Sequence, residues 1–342
     1  MPPSNSGLEL LETLRTAKNV VILAGAGLSA GSGLLIRLEC CQSTITQDTP
    51  LRYPSISRSW RPMDQQRKLY FILFYFYVRS LIAMSLQDPE RLATLEAFHS
   101  NPGLIWTFYE KRIQQCREAV PNAAHRTLAS LALPAVQTRV LPSLDPKWTP
   151  PLFVTQNFDG LSVKALQDLA PQLSDHFALA QSRLIETHGS AFRTVCTQCK
   201  CAKSWLEPLS CPAFDDSYSR APGETIPIED LPRCGGRGWN GSNRYGRCGG
   251  LLRPGVVWFG EVPEQQGEIM RILNWADVLI VVGTSSLVHP AATYAGTVKD
   301  RGGRVAVFNT EPSKGDEDAD FLFLGPCEQT LPEVFDTADL QP

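Results

Sequence analysis

The chain has 342 residues, enough for one large or two modest domains, and its 43% hydrophobic and 20% charged residues suit a globular chain that can bury a core. A net charge of −3 offers no electrostatic footprint for a phosphate backbone, so nucleic acid is not an expected partner. Ten cysteines accompany an N-terminal stretch, MPPSNSGLELLETLRTAKN, with neither a signal-peptide apolar core nor an Arg-rich transit character; an intracellular, reducing compartment is expected, where clustered cysteines signify metal.

In chain order, the first β-rich run is NVVILAG (19–25), which leads into Gly25-Ala26-Gly27 and Ala30. A strand opening into G-x-G-x-x-A presents backbone N–H groups and a helix N-terminus to a pyrophosphate. Residues 34–85 are erratic and contain LYFILFYFYV (69–78), about half the roughly 20 residues a membrane span needs, so a buried element is expected there and no membrane partner. Helical periodicity follows in PNAAHRTLASLA (121–132), then a strand in PLFVTQN (151–157). Residues 193–250 are rich in Cys, Gly, Pro and Ser, and then come a helix in PEQQGEIMRILNWA (263–276) and strands in DVLIVVGTS (277–285) and RVAVFNT (304–310). KGDEDAD (314–320) reads as a solvated acidic loop.

Strands alternating with helices predict an α/β fold: a Rossmann-like, doubly wound parallel sheet with a small zinc-binding module and a helical insertion. Residues 1–192 and 251–342 form the discontinuous sheet domain in this reading, with an atypical insert at 34–85, and residues 193–250 form the module. Polar Gln156, Asn157 and Asp159 stand just beyond one apolar strand, Gly283, Thr284 and Ser285 beyond another, and Asn309, Thr310 and Glu311 beyond a third, where open α/β sheets bind ligands. A dehydrogenase also needs an acidic residue ending a second strand about 20 residues past the glycines. IRLECCQSTITQ offers only Glu39 and no clear strand, which weakens that reading. Cys196-x2-Cys199 is a metal knuckle that needs a second pair to close a tetrahedral zinc site.

AGAGLSAGSG, TQNFDGL, ETHGS, CTQC, LLRPGVVWFGE, VVGTSS and VFNTE occur in one order that resembles the sirtuin family of NAD-dependent protein deacylases, over about 8–34 and 86–330. The resemblance implies that NAD is a consumed cosubstrate and that acylated lysine side chains of proteins are the partners, with nicotinamide and O-acyl-ADP-ribose as products. It implies a cofactor site of Gly25, Ala26, Gly27, Ser29, Ala30, Gln156, Asn157, Asp159, Gly283, Thr284, Ser285, Asn309, Thr310, Glu311 and Cys327. His188 would be the general base, a role suited to a side chain with a pKa of about 6.5. His99, His125, His176 and His289 have no comparable setting and read as structural or solvated. Val256 and Val257 would line the acyl-lysine tunnel, while Phe259, Gly260 and Glu261 flank a peptide that adds as a strand.

The second metal pair implied is Cys234 and Cys248, completing one structural zinc ion, with Cys201 and Cys211 as competing ligands. Tyr109 and Arg112, spaced i, i+3, match the pair with which the succinyl- and malonyl-removing branch holds the distal carboxylate; glutaryl would fit the same pair. A monomer is implied, mitochondrial or else cytosolic or nuclear. Phe158 replaces a usual aliphatic residue, an effect expected on packing. After the glycine loop the family continues with Pro, Phe and Arg, whereas this chain reads Leu34-Leu35-Ile36-Arg37. Translated intron sequence or a real insertion would explain the break. An active deacylase, a disabled NAD-binding protein and a protein ADP-ribosyltransferase therefore stay open.

Overall fold

The structure, a computed structural model, describes residues 2–34, 89–144, 150–205, 211–214, 218–221, 223–235, 248–284, 289–313 and 316–335. The atypical insert beyond Leu34, its apolar run 69–78 and Ser285 lie outside them.

Six strands form one parallel sheet: β1 (Val20–Ala24), β2 (Leu152–Thr155), β3 (Leu184–Glu186), β7 (Val278–Val282), β8 (Arg304–Asn309) and β9 (Phe321–Leu324), in the order β3-β2-β1-β7-β8-β9. The uninterrupted burial of β1, β2 and β7 follows from cover on both faces, whereas the edge strands β3 and β9 are only partly buried. Ile22, Ala24, Ile280, Val282, Ala306 and Phe308 face the helices Gly7–Thr16, Ala123–Ser130, Pro134–Val140 and Cys327–Phe335. Val21, Leu23, Leu279, Val281, Val305 and Val307 face Gln266–Leu273 and Tyr294–Asp300. The chain winds outward from β1 in both directions, so the strand order reverses at β1 and its C-terminal end is the topological switch point.

An antiparallel sheet of β4 (Gly189–Cys196), β5 (Ala202–Ser204) and β6 (Leu252–Val256), ordered β5-β4-β6, carries a separate core. Phe98, Ile105, Trp106 and Tyr109, from helices Leu95–Ser100 and Pro102–Glu118, pack there against Phe158, Leu252, Val256 and Trp258. The second helix starts where Asn101 Oδ1 accepts the Leu104 amide and Pro102 presets the first turn. No helix among the described residues is long and apolar enough to cross a membrane.

Candidate active site

The loops beyond β1 and β7 meet with almost no space between their backbones. A Cβ on Gly27 would lie 2.7 Å from Gly283 Cα, and one on Gly25 would lie 2.7 Å from Thr284 Cβ. Gly283 itself sits at φ +59° with Leu28 N 2.4 Å from where its Cβ would be. Only glycine satisfies both the close approach and the left-handed conformation. Gly27 N donates to Gly283 O (2.7 Å) and Gly25 N to Val282 O (2.9 Å), fixing the loop at the switch point.

Beside this loop lies a cavity of about 150 Å3 lined by Ala26, Ser29, Gln156, Asn157, Phe158, Asp159, His188, the stretch Val257–Glu261, Ala93, Pro263 and His289. Its polar floor is internally bonded. Ser29 Oγ donates to Asp159 Oδ2 (2.5 Å) and accepts from Asn157 Nδ2 (3.1 Å), which also reaches Gly25 O (3.0 Å). Asp159 Oδ1 accepts the Leu161 amide (2.8 Å), and burial pushes its carboxyl pKa up. His188 Nδ1 lies 3.0 Å from Gln156 O. Because a carbonyl only accepts, Nδ1 carries the proton and Nε2 keeps its lone pair. Burial holds the His188 pKa below its ordinary value.

On the adenosine side of the expected site, Gln156 Nε2 donates to Thr284 Oγ1 (3.3 Å) and Asn309 Nδ2 to Thr284 O (3.0 Å). Thr310 and Glu311 are exposed in the loop beyond β8, and Ala30 is exposed at the end of the short helix Gly27–Ala30. The buried Cys327 thiol, its pKa pushed up to about 12 by burial, reaches Gly27 O at 3.6 Å. Val257 lines the cavity, whereas Val256 is buried in β6 opposite Gly189. Tyr109 stands one layer behind the wall: its fully buried hydroxyl accepts Trp258 Nε1 (2.9 Å), and burial pushes its pKa up to about 12. Arg112, on the next helical turn, stacks 3.5 Å above the Phe108 ring and donates to Phe108 O (3.1 Å). Half-buried, it has no carboxylate partner among the described residues.

His125, read from the sequence as structural or solvated, is buried beside Ser29. Within its capping box, its Nδ1 lies 3.0 Å from Asn122 Oδ1 and 3.4 Å from the Asn122 amide, and its Nε2 lies 3.4 Å from Ser29 Oγ. Burial pushes its pKa down to about 3, so it is neutral at working pH. The periodicity of PNAAHRTL marked the residue as helical but could not show which strand loop its ring meets.

The thiols of Cys196, Cys199, Cys234 and Cys248 all lie within 4.8 Å of one another, with close pairs at 3.4, 3.6 and 3.7 Å. A zinc tetrahedron with 2.3 Å bonds has edges of about 3.8 Å, so the four thiols fit one structural zinc. Cys201 is tied to the knuckle through its carbonyl, which accepts the Cys196 amide, and neither it nor Cys211 belongs to the four-thiol group.

A doubly wound sheet with glycines at its switch point, a largely apolar cavity with a polar floor and a four-cysteine module defines a nucleotide-dependent enzyme of the Rossmann type. Residues 77–290 match the Sir2 family, and the chain belongs to it. It is 32% identical to the NAD-dependent protein deacylase sirtuin-5, mitochondrial, of Xenopus tropicalis, over 96% of this chain and 85% of that protein. It is 36% identical to an NAD-dependent protein deacylase of Pyrococcus furiosus over 72% of this chain and 79% of that one. The crystal structure of a Sir2 homologue–NAD complex superposes with a TM-score of 0.61 at 27% identity, covering 99% of this chain and 96% of the other.

Proposed function

We propose that the protein is an NAD-dependent protein-lysine deacylase that removes acidic acyl groups, succinyl, malonyl or glutaryl, in the mitochondrion. The reaction class rests chiefly on His188, a cavity-lining imidazole whose Nδ1–H is committed to Gln156 O and whose Nε2, without a partner among the described residues, can take a proton. The glycine cradle and the carboxamides of Gln156 and Asn157 fit a dinucleotide, with the nicotinamide end toward Asp159 and the adenosine end toward Thr284 and Asn309. NAD supplies a glycosidic bond whose cleavage releases nicotinamide and drives acyl transfer. The chain's residues orient and deprotonate. Asn157 and Asp159 hold the nicotinamide and ribose, and His188 accepts a ribose hydroxyl proton at Nε2. Val257 walls the acyl chain, while Phe259, Gly260 and Glu261 flank the peptide. Cys196, Cys199, Cys234 and Cys248 bind zinc for structure, because four protein ligands leave no position for water.

Arg112 supports the acyl preference. It is a half-buried guanidinium behind the cavity wall, without a carboxylate partner among the described residues, and its planar fork matches a carboxylate. The Tyr109 hydroxyl accepts from Trp258 and keeps its own proton to donate. Arg112→Met is expected to lower kcat/KM on a succinyl peptide by about 10- to 150-fold, the equivalent of a charged hydrogen bond, and to change acetyl-peptide turnover little. Equal losses on both peptides would refute the acidic-acyl preference and leave the deacylase reading standing.

A further inference from the structure

The stretch Val257–Glu264 supplies the outer wall of the cavity, and both its ends are tied to adjacent residues of the histidine segment. Val257 N donates to His188 O (2.8 Å). Seven residues later Glu264 N donates to Thr187 O (3.0 Å), and Thr187 Oγ1 returns a bond to Glu264 O (3.3 Å). The stretch is therefore a closed loop whose base is the Thr187–His188 peptide.

Little apolar contact holds this loop. Phe259 and Val262 are 43% and 78% exposed, and Gly260 turns at φ +86°. Trp258 is its buried anchor, and the Phe259 amide bonded to Ala93 O (2.9 Å) ties its tip to the helical layer. At the base, the Glu264 carboxylate forms a two-pronged ion pair with Arg193 of β4 through both terminal guanidinium nitrogens. Arg193 is only 23% exposed, so its orientation is set by the surrounding strands. A bidentate fork fixes the angle of the carboxylate as well as its distance. It thereby holds the backbone of Glu264 where Thr187 meets it.

We infer that Glu264 and Arg193 are positioning residues that lock the substrate-facing loop and His188 into one register, so that a peptide seated on the loop bears directly on the base. The kinetic arm of this inference rests on the deacylase reading; the structural arm does not.

The test is amide hydrogen exchange by mass spectrometry on the full chain, with steady-state kinetics on an acyl peptide. In Glu264→Ala, exchange should rise roughly 3- to 10-fold in residues 257–264 and in 187–189 together, the scale of a partly exposed charged pair. Peptide KM should rise and kcat fall, since loop and base are displaced at once. Exchanging the charges, Glu264→Arg with Arg193→Glu, should recover most of both effects, and Arg193→Lys should fall between. Unchanged exchange in Glu264→Ala, or a rise in 257–264 with none in 187–189, would overturn the inference. So would a charge exchange that recovers nothing while β1 and β7 stay protected. If the parent chain turns over no acyl peptide, the deacylase reading fails, yet the exchange arm still decides the inference.

Discussion

Replacing His188 by alanine is expected to leave NAD binding intact and to lower turnover by about 10²–10⁴-fold, the usual contribution of a positioned general base. Among the described residues the imidazole bonds only to Gln156 O, and the glycine cradle and the Asn157–Ser29–Asp159 cluster do not depend on it. Calorimetric NAD affinity should therefore hold while nicotinamide release collapses. Burial holds the pKa of His188 below its ordinary 6.5. A base is active when unprotonated, so the acid limb of the parent enzyme's pH profile should lie on the acid side of 6.5. Equal turnover in the variant, or NAD affinity lost along with activity, would remove the assigned role.

Cys248→Ser is expected to abolish stoichiometric zinc and to unfold the module before the parallel sheet. Structural zinc contributes about 10–16 kcal/mol to the folding of small zinc-binding peptides at neutral pH, and a three-thiolate remnant keeps only part of that. Around the second thiol pair the described backbone is held by the bonds of Cys234 N to Gly250 O, Gly249 N to Cys234 O and Leu252 N to Pro232 O, which leave the metal as the link between the two knuckles' thiols. The helices and strands around Trp106 and Leu252 form a core separate from the two that flank the parallel sheet, so calorimetry should resolve an early transition that the parent lacks. Zinc retained in full by both Cys248→Ser and Cys196→Ser would move the ligand set to Cys201 or Cys211.

The four inner strands of the parallel sheet were legible because burial on both faces writes itself as continuous runs such as VVILA and VLIVV, whereas the short, partly buried edge strands Leu184–Glu186 and Phe321–Leu324 were not. The strand ends were legible for the same reason, since polar residues, Thr155 to Asn157, Thr284 and Asn309, follow those runs. Partnerships across the chain were not. Trp258 and Tyr109 are 149 positions apart, and His125 and Ser29 are 96 apart; neither pairing leaves a periodic trace. The spacing of Tyr109 and Arg112 gave their shared helical face but not their depth, which is set by Phe108, Phe158 and Trp258 packed around them. The four thiols could be grouped only through the family resemblance, because the gap between Cys234 and Cys248 is wider than a knuckle and spacing alone does not select them.

Trp258 gives the protein a built-in optical signal. Its indole is 2% exposed, donates to Tyr109 OH, lies beneath the Arg253 guanidinium at 4.3 Å and lines the cavity. Its excited-state dipole feels that fixed cation and that hydroxyl, so filling the cavity should shift both the wavelength and the yield of its emission. Titrating acyl peptide into the protein should produce a saturable fluorescence change that Trp258→Phe removes and Trp275→Phe, at a 76% exposed position outside the cavity, retains.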